Sequence, residues 1–111
     1  MVIDIFGKIY EGTFCGGNLS STVATRTGRG QVIDGGIRDL QQIMGIANLQ
    51  TFYKGCDPTP IRDVTLVGIN TPCRIGDAIC MPGDVVLGTP SGVLFIPPHL
   101  VEECVINAEK T

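Results

Sequence analysis

Three observations predict an α/β protein, with central β-layers and flanking helices. The first half of the 111-residue chain runs strand, helix, strand and then repeats that order. The second half sets short apolar runs between turn sequences. The core must be aliphatic, because aromatics are 5% of the residues and Trp is absent, a composition that suits strands covered by short helices. Length makes residues 1–111 one domain, able to bury roughly 60 to 70% of its unfolded surface.

Each element has a local reason. "VIDIFG" at 2–7 alternates and β-branches as a strand does, and "GTFCGGN" after it is punctuated by glycine. "NLSSTVATRTG" offers Asn18 as the N-cap of a small-residue helix that Gly28 stops, and "QVID" is a short buried strand. Gly35 and Gly36 make the next turn. "IRDLQQIMGI" is a short helix with Ile37, Leu40, Ile43 and Met44 on one face, and "LQTFYKG" returns as a strand. Beyond it "VTLVGI", "DAICM", "DVVLGT" and "GVLFIP" read as closely spaced strands of a compact antiparallel or mixed layer, separated by Pro-Gly-Asp turn chemistry. "PPHLVEECVINAEK" closes the chain as a helix, with proline tolerated in its first turn, Glu102 and Glu103 early and Lys110 late, as the dipole favours. The sheet edges are not all covered by this chain alone.

Composition excludes several functions. Eight Lys and Arg stand against eleven Asp and Glu, a net charge of −3 without a basic cluster, which disfavours nucleic acid as a direct partner. No apolar run approaches the ~20 residues of a membrane helix and the N-terminus lacks a signal-peptide layout, so a cytoplasmic, non-membrane protein is expected. Cys15, Cys56, Cys73, Cys80 and Cys104 are odd in number and irregular in spacing, beside a single His. They support neither a disulfide framework nor a zinc site and read as small buried hydrophobes in a reducing compartment. His99 reads as an exposed first-turn residue.

"GRGQVI" fails the dinucleotide pattern at its third glycine and no Gly-Lys-Ser/Thr follows "GTFCGG", so a nucleotide cofactor is disfavoured. Arg38 and Asp39 are more informative. At a helix start Asp39 would sit among free backbone amides beside a guanidinium, both favouring the ionised form that holds Mg²⁺ or Mn²⁺ through oxygen. Arg38 offers a planar fork matched to a carboxylate or α-keto acid, and the loop glycines leave room for a small ligand. The pair fits an anion-plus-metal site; it equally fits a capping Asp beside a solvated Arg, and these two residues alone do not decide. Asp34 could add a carboxylate by position, or serve as a turn residue.

Gly17 is followed by twenty residues and then Arg38-Asp39, and "DIFGKIYEGTFCGGNLSSTVATRTGRGQVIDGGIRD" resembles the RraA-like family, which includes divalent-metal-dependent 4-hydroxy-4-methyl-2-oxoglutarate aldolases. The resemblance extends through "PIRDVTLVGINTPCRIGDAICMPGDVVLGTPSGVLFIPPHLVEE" and so covers nearly the whole chain. It implies a ββα sandwich of the swivelling-domain type, assembled as a homotrimer or a hexamer with sites at subunit interfaces. It implies that Gly16, Gly17, Asn18 and Leu19 hold the substrate's carboxylate or keto oxygen, that Arg38 binds substrate, that Asp39 binds the metal, and that Arg38 and Asp39 form the catalytic pair. The implied reaction is retro-aldol cleavage of a 4-hydroxy-2-keto acid to pyruvate, with oxaloacetate decarboxylation through the same enolate.

The chain departs from the family pattern. It is about half the usual length, so it is expected to be a shortened member or a fragment without the N-terminal helical portion and a C-terminal extension. Gln42 stands where the aldolase pattern has an acid, after Arg-Asp and two further residues, and Gly17-Asn18 lacks the loop acid that orients a water. Two other readings follow from the same resemblance: a non-catalytic protein-binding regulator of ribonuclease activity, and an inactive truncated relative. The demethylmenaquinone methyltransferase label that some members carry finds no glycine-rich S-adenosylmethionine loop here.

Overall fold

The computed structural model describes residues 1–110. In chain order it contains β1 (Val2–Asp4), β2 (Thr13–Cys15), α1 (Gly17–Thr27), β3 (Gln31–Asp34), β4 (Gly36–Ile37), α2 (Leu40–Met44), β5 (Thr51–Phe52) and β6 (Gly55–Cys56). Two hairpins follow, β7 (Cys73–Ile75) with β8 (Ala78–Cys80) and β9 (Val85–Thr89) with β10 (Gly92–Ile96), then a 3₁₀ turn at Pro98–Leu100 and α3 (Val101–Glu109).

Two parallel three-stranded sheets organise the first half, in the orders β1–β3–β5 and β2–β4–β6. The chain passes from the first sheet to the second through very short links: Gly35 alone joins β3 to β4, and Tyr53-Lys54 joins β5 to β6. The sequence-based reading of Gly35-Gly36 as a turn is therefore corrected. A Cβ on Gly35 would lie 2.4 Å from the Ile5 side chain and 2.7 Å from the Lys8 carbonyl oxygen, and one on Gly36 would lie 3.0 Å from Ile9 Cα. The diglycine lets the 5–9 segment pack directly on the strand as it changes sheet, with the Gly36 N–H donating to the Lys8 carbonyl at 2.9 Å. Ile5, Cys15, Ile33, Ile37 and Ile43 are the buried cluster, walled by Phe14, Leu40 and Tyr53.

Other expectations change in detail. The helix after the glycine loop begins at Gly17 with Gly16 at its N-cap, so Asn18 lies inside the first turn, while Gly28 ends it in the left-handed conformation as expected. β2 falls within the stretch read as a glycine loop. Ile37 belongs to a strand, and Met44 is 69% exposed, so the five-residue α2 buries only Ile43. "VTLVGI" forms no strand, and Val67 within it is 96% exposed. The second half is two separate hairpins and not one compact layer; Leu87, Leu94, Val105 and Ile106 face outward. Cys15 and Cys80 are buried as expected, but Cys56 and Cys104 are exposed.

Two carboxylates join the hairpin β7–β8 to the first sheet. Asp4 and Asp34 are register partners on β1 and β3; Asp4 Oδ2 accepts the Arg74 N–H at 3.2 Å and Asp34 Oδ2 accepts the Gly76 N–H at 3.0 Å. Asp34 is buried and its Oδ1 meets Lys54 Nζ at 2.5 Å as an ion pair. It ties layers together and is not a carboxylate of the site described next. No helix among the described residues is long and apolar enough to cross a membrane.

Candidate functional site

β2 and β4 are neighbours in a parallel sheet, paired Thr13 to Gly36 and Cys15 to Ile37 across a bulge. Their carboxyl ends therefore open side by side, β2 into Gly16-Gly17 and α1, β4 into Arg38-Asp39 and α2, the edge at which parallel α/β sheets take ligands. The Arg38 N–H donates to the Cys15 carbonyl at 3.0 Å and fixes this register. Gly16, Gly17, Asn18, Leu19, Arg38 and Asp39 all line one cavity of about 290 Å³, completed by Phe14, Cys15 and Gln42. The structure thus brings together all six residues singled out by the resemblance.

Asp39 occupies the left-handed region at φ 55°, ψ 42°, where a side chain other than glycine costs roughly 1 to 2 kcal/mol. The turn has a visible consequence. Asp39 stands at the N-cap of α2 yet makes no side-chain bond there; its Oδ2 instead accepts the Gly17 N–H of α1 at 3.0 Å. The expectation of a carboxylate capping its own helix is corrected to one capping its neighbour. The first helical hydrogen bond of α1 runs from the Ser20 N–H to the Gly16 carbonyl, so the N–H groups of Asn18 and Leu19 lack helical partners. Those groups are donors for an anion at the mouth of an eleven-residue helix.

Close approach demands glycine at 16 and leaves room for a Cβ at 17 only if the Gln42 side chain moves. A Cβ on Gly16 would lie 2.5 Å from Asp39 Oδ2 and 3.0 Å from Arg38 Nε, and one on Gly17 would lie 2.0 Å from the Gln42 side-chain amide. Arg38 and Asp39 converge over Gly16 but do not pair with each other; among the described residues the ion pair is Lys54 with Asp34. Arg38 Nη1 turns back to the Thr13 carbonyl at 3.2 Å and the Thr13 hydroxyl at 3.4 Å. Cys15 is fully buried at the cavity wall, and burial pushes its thiol up, against smaller opposing effects of Ser20, Arg38 and Gln31, which disfavours the thiolate.

For a cation the cavity offers few donors. Among the described residues no group of three or more His, Cys, Asp or Glu is placed to hold a metal ion. Asp39 is the one carboxylate lining the cavity, with the Gln42 amide oxygen as a second neutral donor. Oxygen donors of this kind suit a hard cation that keeps most of its water and shares ligands with substrate. Thr13, behind Arg38, was not legible in the sequence, since nothing local marks its contact 25 residues away.

The family model described as RraA-like, Aldolase/RraA, matches residues 1–95. The chain belongs to the RraA-like family. A Methanocaldococcus jannaschii protein of uncharacterized function is 31% identical over 110 residues, covering 98% of this chain and 52% of that protein. A Halalkalibacterium halodurans protein provisionally named 4-hydroxy-4-methyl-2-oxoglutarate aldolase is 31% identical over 81 residues, covering 73% of this chain and 38% of its own length. The crystal structure of Streptomyces coelicolor RraAS2, described as an unusual member of the RNase ES inhibitor RraA protein family, superposes with a TM-score of 0.88 at 23% identity over 98% of this chain and 55% of that one. The ββα sandwich expected of an RraA-like protein is thus the fold observed. This RraA-like chain spans about half the length of the relatives it matches.

Proposed function

We propose that this RraA-like chain carries the active site of a divalent-metal-dependent aldolase, cleaving 4-hydroxy-2-keto acids of the 4-hydroxy-4-methyl-2-oxoglutarate type to pyruvate, with oxaloacetate decarboxylation as a companion reaction. The observation behind the proposal is convergence: a guanidinium, an unpaired carboxylate oxygen and two free helix N–H groups face one cavity of about 290 Å³, the scale of a small dianion.

Arg38 presents Nε and Nη2 to the substrate carboxylate, since Nη1 is engaged behind it. The Asn18 and Leu19 N–H groups, at the positive end of α1, stabilise negative charge as it develops on the keto oxygen when the C–C bond breaks. Asp39 Oδ1 and the Gln42 amide oxygen, with water, are the groups that would hold Mg²⁺ or Mn²⁺. When bound, that ion supplies Lewis-acid polarisation of the keto group. Leu19 and Phe14 limit water around the reacting carbons. Assembly as a homotrimer or hexamer and a cytoplasmic location belong to the same proposal.

The test supplies Mg²⁺ or Mn²⁺ with oxaloacetate or a 4-hydroxy-2-keto acid and follows pyruvate. Activity lost with EDTA, with Asp39→Ala and with Arg38→Lys supports the proposal, and turnover that survives EDTA and Asp39→Ala refutes it. The outward Leu87, Leu94, Val105 and Ile106 favour a second reading, a non-catalytic RraA-like regulator that binds a ribonuclease through its surface. Capture of an RNA-degrading endonuclease by metal-free protein, without turnover, would favour it over catalysis or over an inactive relative.

A further inference from the structure

Thr13 is fully buried in β2 and lines no part of the cavity, yet it holds the residue that does. Its hydroxyl carries one hydrogen, and that hydrogen is donated to the Thr59 carbonyl oxygen. Oγ1 can then only accept from Arg38, whose Nη1 lies 3.4 Å from it and 3.2 Å from the Thr13 carbonyl. Thr59 is itself fixed. Its N–H donates to Asp57 Oδ1 at 2.9 Å, its hydroxyl donates to the same oxygen, and its Oγ1 accepts the Glu11 N–H at 2.7 Å. Thr13 also forms an isolated parallel bridge with Pro60. The hydrogen-bond directions therefore run one way, from Arg38 to Thr13 to Thr59, and end in the 57–60 loop.

We propose that Thr13, anchored by that loop, is the positioning residue for Arg38. It engages one guanidinium nitrogen from behind, so that the fork meets a ligand carboxylate in a fixed orientation. An arginine without this tether spreads over many rotamers and must be ordered at each binding event. The consequence for binding rests on the keto-acid reading above; the tether itself does not.

Thr13→Val removes the hydroxyl at nearly constant volume, and Thr13→Ser keeps it. Pyruvate and oxalate, titrated with Mg²⁺ present, should bind wild type and Thr13→Ser alike and Thr13→Val about threefold more weakly, because that variant loses the longer of the two bonds to Arg38 and keeps the one to the Thr13 carbonyl. In turnover the Val variant should raise KM more than it lowers kcat. Equal affinity in wild type and Thr13→Val overturns the inference. Nitrogen-15 NMR of the Arg38 side chain gives a ligand-free readout: a distinct Nη1 signal in wild type and Thr13→Ser, shifted and broadened in Thr13→Val, where only the bond to the Thr13 carbonyl remains. An averaged signal in wild type overturns the tether even if Thr13→Val fails to fold. A distinct signal in a wild type that binds no keto acid refutes the aldolase reading and leaves the tether standing.

Discussion

The pair formed by Asp34 and Lys54 should be asymmetric, and the asymmetry is measurable. The Asp34 side chain is 2% exposed, whereas that of Lys54 is 52% exposed. Burial alone would push the Asp34 carboxyl up, but Lys54, the Gly76 N–H and Arg74 together outweigh it and hold the group below its ordinary value. A depressed folded value means stability that is present above the unfolded value near 3.9 and is lost as pH falls through the folded one. Lys54→Met strands a buried carboxylate with the Gly76 hydrogen bond alone and should cost about 2 to 3 kcal/mol at pH 7, the low end for breaking a buried pair because water reaches one side. Asp34→Asn leaves an ammonium free to swing into solvent and an amide oxygen that still accepts the Gly76 N–H, so it should cost only about 1 kcal/mol. Urea unfolding at pH 7 and pH 4 reads both variants. The Lys54→Met deficit should shrink at pH 4, where the stranded carboxylate becomes protonated, and the double variant should resemble Asp34→Asn. A larger cost for Asp34→Asn, or a Lys54→Met deficit that does not change with pH, would refute this account.

Gly16→Ala should leave far-ultraviolet circular dichroism intact but lower turnover by about a hundredfold, because its Cβ displaces Asp39 and Arg38 together; Gly17→Ala, which moves only the flexible end of Gln42, should cost less and act through weaker Mg²⁺ binding. Gln42→Glu should tighten Mg²⁺ binding by calorimetry, since a second carboxylate then lines the cavity. Replacing the outward cross-strand partners Leu87 and Leu94 by Lys and Glu should change the unfolding free energy by no more than about 0.5 kcal/mol while raising solubility.

How much was legible in the sequence depends on how local the cause is. β3, β9 and β10 carry β-branched runs between turn residues, and the stop at Gly28 follows from backbone freedom at one position, so all four could be read directly. β2 could not, because a three-residue strand between glycines has no period to detect. "VTLVGI" has the composition of a strand but no neighbour to pair with, and pairing is decided elsewhere in the chain. The residues that share the cavity could be named together from the family resemblance, which the glycine spacing and the Arg-Asp pair carry. The site's geometry was not legible: which helix Asp39 caps, and what stands behind Arg38, depend on β2 and β4 lying side by side.

On the proposed reading one side chain carries two roles, and they can be separated. A carboxylate turned toward α2 would cap a five-residue helix and be lost to the cavity; the left-handed backbone at Asp39 turns it to α1, where Oδ2 takes the Gly17 N–H, and the proposed reading gives Oδ1 to a cation. Asparagine tolerates the same backbone region, and its amide oxygen can accept the same N–H, but it carries no charge. Asp39→Asn should therefore unfold in urea like wild type yet lose Mg²⁺-dependent turnover and calorimetric Mg²⁺ binding. Asp39→Ala should lose those and, in addition, about 1 kcal/mol of stability with the cap. If Asp39→Asn bound Mg²⁺ as wild type does, the carboxylate would serve only as a cap, and the metal-dependent chemistry would have no anchor in this cavity.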